Sequence, residues 1–140
     1  SEDFKMLQKA ILEYSNKLTP QQKLENHLIS LRLQMEDYLE QKEPKQVLNV
    51  GYFLGEILHE LKIKNNKFAQ YIGLTKTNLS ALIHGKRKLN SDLALKFGHI
   101  FKINPDIWLN IENKNELLQI KKENKLKYKK YKLEDLISFK

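Results

Sequence analysis

An all-α fold is what this 140-residue sequence predicts. Three observations lead there. Apolar residues return every three or four positions in one segment after another, the spacing of a helix face rather than the alternation of a strand. The breaks between segments carry helix-start residues, Thr19-Pro20 and Asn104-Pro105 most plainly. Two glycines, Gly73 and Gly85, fall where two short helices have to end.

The elements follow in order. Phe4, Leu7, Ile11, Tyr14 and Leu18 are spaced 3, 4, 3 and 4, which makes a helix with one narrow apolar seam. Residues 15–20 interrupt it. Thr19 then serves as an N-cap, with Pro20 at the first helical position and Gln22 closing a capping box. A second seam runs through Leu24, Leu28, Leu31, Met35 and Tyr38. Two seams across a short loop read as an antiparallel helical hairpin over residues 1–45. The hairpin could pack on itself over the core, bind a second copy or hold another protein, and self-packing is the expectation. Pro44 sets a boundary near residues 43–48.

Residues 46–122 make the second unit. Leu54, Ile57, Leu58 and Leu61 mark its first helix, and a helix pair over residues 64–88 follows. Asn90 or Ser91 caps a helix that reaches about Phe101 with Ala94, Phe97 and Phe101 inward. Gly98 inside it costs about 1 kcal/mol against alanine, which close packing on a neighbour would justify. Asn104-Pro105-Asp106 starts the last helix, filled by Ile107, Trp108, Ile111, Leu117 and Leu118, with Trp108 as a core anchor. Residues 123–140 form a basic tail. Its lysines alternate roughly with Leu126, Tyr128, Tyr131 and Leu133, so an edge strand, a frayed helix and an arm all fit. Alternation and the tyrosines favour the strand.

Charge divides the chain. Residues 1–50 hold seven Lys or Arg against eight acids, net −1, and residues 51–140 hold eighteen against nine, net +9. A polyanion partner for the second part follows from that asymmetry. The chain has no cysteine, hence no disulfide or thiolate metal site. Its longest uncharged apolar-rich run, residues 46–55, falls far short of the ~20 residues that span a bilayer. The N-terminus carries no signal-peptide pattern, so a cytoplasmic location and no membrane partner are expected.

The helix pair carries the functional signal. Gly73 supplies the positive φ that leaves the first helix sharply, Thr75 caps the second, and Gly85 lies just past its end. Leu79, Leu82 and Ile83 share the inward face, while Lys76, Thr77, Ser80, Ala81 and His84 point away. From Leu61 to Ser91 there are seven Lys or Arg and no acid. A basic, short-side-chained outer face on the second helix of such a pair suits a DNA major groove. There Thr77 and Ser80 could reach base edges, Ala81 a thymine methyl and Lys76 guanine. Lys86, Arg87 and Lys88 suit phosphates.

Four segments taken in order resemble a known family. Gly55-Glu56-Ile57-Leu58, Phe68-Ala69 through Gly73-Leu74-Thr75, Gly85-Lys86-Arg87, and Pro105-Asp106-Ile107-Trp108-Leu109-Asn110 are similar to the HigA-type antitoxins, repressors of the Xre/Cro helix-turn-helix type. The resemblance covers about residues 51–120. It implies a five-helix, lambda-repressor-like domain that dimerises on an inverted-repeat operator, represses its own operon and neutralises a ribonuclease toxin. Position by position it assigns base contacts to Lys76, Thr77 and Ala81, with Ser80 beside them. Backbone contacts fall on Asn65, Asn78, Lys86 and Arg87. A stand-alone regulator of the same type with no toxin is the alternative. The sequence departs from the family at Lys64, where a capping Ser or Thr is usual, at Phe53-Leu54, and at Lys102 in a common glycine position.

Catalysis is not expected. His27, His59, His84 and His99 lack metal-ligand spacing, and Ser80 with His84, although i, i+4, has no acid beside it to orient the imidazole. No cofactor is implied.

Overall fold

Seven α-helices follow one another in the computed structural model, which describes residues 1–138. They are α1 (Glu2–Lys17), α2 (Pro20–Glu40), α3 (Val50–Glu60), α4 (Asn65–Ile72), α5 (Lys76–Ile83), α6 (Ser91–Phe101) and α7 (Pro105–Glu123). Two short 3-10 segments, Lys127–Lys130 and Leu133–Asp135, come after them. No strand occurs among the described residues, and no helix there is long and apolar enough to cross a membrane.

Local chemistry accounts for the boundaries. At α2 both halves of the capping box form: Thr19 Oγ1 accepts from Gln22 N at 3.1 Å and Gln22 Oε1 accepts from Thr19 N at 2.9 Å. Asn49, Asn90 and Asn104 cap α3, α6 and α7 through their side-chain oxygens. Lys102 ends α6 in the left-handed region at φ 56°. A non-glycine residue there costs about 1–2 kcal/mol, and Lys102 is exposed, so its side chain holds no core contact. Lys102→Gly is therefore expected to raise stability by about 0.5–1 kcal/mol, the strain relieved less the added freedom of the unfolded chain. Thermal unfolding measures it, and an unchanged or lower midpoint would refute the strain.

Helix α3 lies at the centre. It packs against α2, α5 and α7, while α4 packs on α5 and α6 on α7. Phe68, Phe97, Phe101 and Trp108 form one aromatic cluster, with ring centroids 5.2 Å apart for Phe97–Trp108 and 5.8 Å for Phe68–Phe101. Trp108 is fully buried, so the anchor reading holds, though its indole N–H has no partner among the described residues. Gly98 sits against the next helix: a Cβ there would lie 2.7 Å from Pro105 Cγ.

The expected boundary near residues 43–48 separates α2 from α3 in sequence but not in packing. Leu31, Met35 and Tyr38 belong to the same core as α3 and α7. Two polar residues of α7 make the tie. Asn115 accepts from the Tyr38 hydroxyl and donates to Leu48 O at 2.8 Å. The Lys114 ammonium donates to Tyr38 O at 2.6 Å, Leu39 O at 3.2 Å and Gln41 O, capping the negative end of α2. Burial pushes the Tyr38 hydroxyl above its usual pKa and holds Lys114 below its own.

Three expectations change. The seams of α1 and α2 do not close on each other: α2 spends its seam on α3 and α7, and α1 has no buried residue. Leu117 is exposed rather than inward, because α7 turns Lys114 and Asn115, not Leu117, toward α2. The tail is not a strand. An all-helical body offers no sheet edge to pair with, and residues 127–130 instead take a 3-10 turn. In that geometry i and i+3 eclipse, which brings the Tyr128 and Tyr131 rings to 6.4 Å with Lys127 and Lys130 over their faces.

Candidate nucleic-acid interface

The helix pair forms as α4 and α5. Lys64 precedes α4 without a side-chain cap, so the departure noted in the sequence is real. Phe68, Ala69 and Ile72 hold α4 in the core. Gly73 then turns the chain at φ 81°, Leu74 N donates to Ala69 O at 2.9 Å, and Thr75 Oγ1 accepts from Asn78 N at 3.0 Å to start α5. Leu79 and Leu82 are buried, which fixes the rotation of α5 and decides which residues face out.

Lys76, Thr77, Ser80 and His84 are exposed on that outer face, and Ala81 is half-buried at its edge. Asn65 is exposed in the first turn of α4, and Asn78 is half-buried. Gly85, at φ 74°, reverses the chain after α5. The N–H groups of Lys86 and Arg87 then both donate to Ala81 O, at 2.8 and 3.1 Å. The loop is thereby folded back onto the end of α5, and its three cations line the groove between that end and α7. Lys76, Thr77, Ser80 and Ala81 thus share one helix, with Lys86, Arg87 and Lys88 next to it; Asn65 lies apart on α4.

Lys88 has a partner of its own. Its Nζ lies 2.9 Å from Glu116 Oε1 on α7, across an open groove of about 970 Å³ that Lys86, Arg87 and Glu112 also line. The pair is well exposed, with 73% of the Lys88 side chain accessible. Such pairs contribute about 0–1 kcal/mol, so Lys88 can exchange its carboxylate for another anion at little cost.

Two positions that matter here carry no weight in the sequence reading. Glu112 accepts the Leu89 N–H and so ties the end of the loop to α7. Gly51 is the closer fit: a Cβ built on it would lie on the carbonyl oxygens of Leu82 and Ile83. Helix α3 therefore crosses the end of α5 backbone to backbone. A glycine in the first turn of an apolar helix was the available signal.

The Ser80–His84 pair has no catalytic geometry. His84 Nδ1 lies 2.8 Å from Ser80 O and 3.4 Å from Ser80 Oγ, so the ring serves the helix end rather than the hydroxyl. No cluster of His, Asp or Glu able to hold a metal occurs among the described residues.

No family model matches the chain. It is 31% identical over 67 residues to an uncharacterised HTH-type transcriptional regulator of Escherichia coli K12, YbaQ, a match spanning 48% of this chain and 59% of that relative. Among solved structures it is similar to an addiction-module antidote protein of the HigA family from Coxiella burnetii, with a TM-score of 0.57 and 25% identity over 62% of this chain and 96% of that one. The Pseudomonas aeruginosa antitoxin HigA, solved with the higBA promoter, shares the fold at a TM-score of 0.56 and 20% identity, over 66% of this chain and all of that one. This chain is a helix-turn-helix protein, and it resembles the HigA-type members of the Xre/Cro group.

Proposed function

We propose that this protein is a sequence-specific DNA-binding repressor that reads its operator with α5. The observation that carries the reading is the outer face of α5, exposed at Lys76, Thr77 and Ser80, flanked by Lys86 and Arg87 and free of acids. Helix α5 enters the major groove. Lys76 reads guanine O6 and N7, Thr77 and Ser80 bond base edges, and Ala81 meets a thymine methyl. Lys86, Arg87, Lys88, Asn65 and Asn78 hold phosphates and set the affinity through counterion release. Two copies on an inverted repeat place their α5 helices ~34 Å apart, one helical turn of DNA.

A gel shift with the protein's own promoter tests the reading, and no preference for that promoter over random duplex would end it. Lys76→Ala is expected to cost about 1–3 kcal/mol on the operator and to relax preference at one base pair. An equal loss on random DNA would exclude base reading. Arg87→Ala is expected to weaken all duplexes alike and to flatten the log–log salt dependence by about 0.9. An unaltered slope would remove its phosphate role.

One observation favours a second activity beside this one. The likeness to the Coxiella burnetii antidote protein covers 96% of that chain. On that ground the protein is proposed to act as the antitoxin of a toxin–antitoxin module, neutralising a ribonuclease made next to it. Co-expression with the product of the adjacent gene tests this. Co-purification and restored growth support it, and a toxic neighbour that is neither bound nor relieved points to the stand-alone regulator.

A further inference from the structure

Helix α1 leaves an apolar seam without a cover. Phe4, Leu7, Ile11 and Tyr14 are 59%, 57%, 58% and 67% exposed, and no residue of α1 is buried by the rest of the chain. The helix is nonetheless well made: Ser1 caps it, Glu2 and Asp3 stand at its positive end and Lys17 at its negative end. A stable helix with an open seam at spacings of 3, 4 and 3 is one half of a helix pair.

We propose that the other half is α1 of a second copy, packed antiparallel about a two-fold axis. The seam is self-complementary in that sense, and the flanking charges select it over parallel packing. With Phe4 and Ile11 as a positions and Leu7 and Tyr14 as d positions, antiparallel packing faces Phe4 with the partner's Tyr14 and Leu7 with the partner's Ile11. Each layer then holds one a and one d residue, as antiparallel pairs require. The flanking charges agree. Asp3 and Lys17 occupy g positions, which meet one another across an antiparallel pair, so Asp3 lies beside the partner's Lys17 on both ends of the interface. Parallel packing would instead set Asp3 beside the partner's Gln8 and give Lys17 no acid. Between the two charged ends, Ala10 comes beside the partner's Ala10, where a small side chain lets the helices approach.

The area sets the strength. Aromatic side chains carry about 150–250 Å² each and leucine and isoleucine less, so the four seam residues at these exposures bury at most roughly 450 Å² per copy. The total of about 900 Å² lies just under the ~1,000 Å² of a specific interface. The pairing is therefore weak and reversible, a contact that strengthens when copies are already held near one another.

The test uses the full chain, which has no cysteine of its own. A tagged Leu7→Cys protein is mixed with an untagged Ile11→Cys protein and oxidised mildly. Antiparallel pairing predicts that the mixed disulfide dominates both homodimers. A charge swap follows by sedimentation equilibrium: Lys17→Asp is expected to weaken association roughly three- to tenfold, and Asp3→Lys/Lys17→Asp to restore it. Both swaps oppose the helix dipole at the ends of α1, so the helix content of each variant by circular dichroism, unchanged from the parent, separates loss of pairing from loss of the helix. Predominant homodimers would mean parallel packing, and no cross-link at all would mean that α1 does not meet its copy. Failure of the double variant to recover would likewise overturn the proposal. Because every readout is taken without DNA, none depends on the repressor reading.

Discussion

Gly51→Ala is expected to destabilise the protein and to lower the proposed operator affinity about tenfold or more, although Gly51 is on α3 and presents nothing to a ligand. A Cβ at that position would occupy the space of the Leu82 and Ile83 carbonyl oxygens at the end of α5. Those are backbone atoms, so no side-chain rotation relieves the overlap, and α5 has to move away from α3 or the core has to open. Overpacking of this kind costs about 1–3 kcal/mol when side chains can yield, and here the cost should lie at or above the top of that range. Displacing α5 also moves Lys76, Thr77 and Ser80 together, and at 1.4 kcal/mol per tenfold even one lost base contact lowers affinity about tenfold. The control is Gly55→Ala, one turn along the same helix. A Cβ there meets Ile83 Cγ2 at 3.7 Å, an ordinary contact. That variant is expected to be neutral or up to about 1 kcal/mol more stable, through the helix preference of alanine over glycine. Denaturant unfolding and the gel shift read both. If the two variants behave alike, the close crossing of α3 and α5 is not what positions α5.

What was legible in the sequence is what is local. The register of α5 follows from Thr75, Gly73, Gly85 and the Leu79–Leu82 spacing, all between positions 73 and 85, and the structure returns that register with Leu79 and Leu82 inward. The caps at Thr19, Asn90 and Asn104 are local as well. The misses depend on which elements meet. Gly51 differs from Gly55 only because α5 crosses one and not the other. Lys114 and Asn115 look like solvent-facing residues of α7, and their role comes from α2, more than seventy positions away. The tail's alternation promised a strand, but a strand is a relation between two segments and the body has no edge to offer. The seam of α2 is returned by the structure at Leu31, Met35 and Tyr38, while that of α1 meets nothing. Periodicity says that a face is apolar and not what will cover it, so α2 went to the core and α1 did not.

The same distinction leads to the second large effect. Tyr38→Ala is expected to cost about 3–5 kcal/mol, a large share of the ~5–15 kcal/mol that holds a domain together. Tyr38 is buried to 1% exposure, its ring lies 6.1 Å from that of Phe53, and the Lys114 ammonium sits 4.8 Å from its face. Removing it deletes the ring and leaves Asn115 without the hydroxyl, while the Lys114 bonds go to backbone carbonyls and remain. Tyr38→Phe separates the two contributions. It keeps the ring and leaves Asn115 without the hydroxyl, for an expected cost of about 1–2 kcal/mol. None of Tyr38, Lys114 and Asn115 belongs to the outer face of α5, so Tyr38→Phe should retain operator affinity while losing stability. Urea unfolding followed by two probes decides the matter. A single transition that shifts to lower urea in both variants makes α2 part of the cooperative body, however near-neutral its charge sets it apart. A loss below about 1 kcal/mol for Tyr38→Ala, or a separate early transition for α2, would instead make residues 20–40 an appendage that only leans on the helix-turn-helix core.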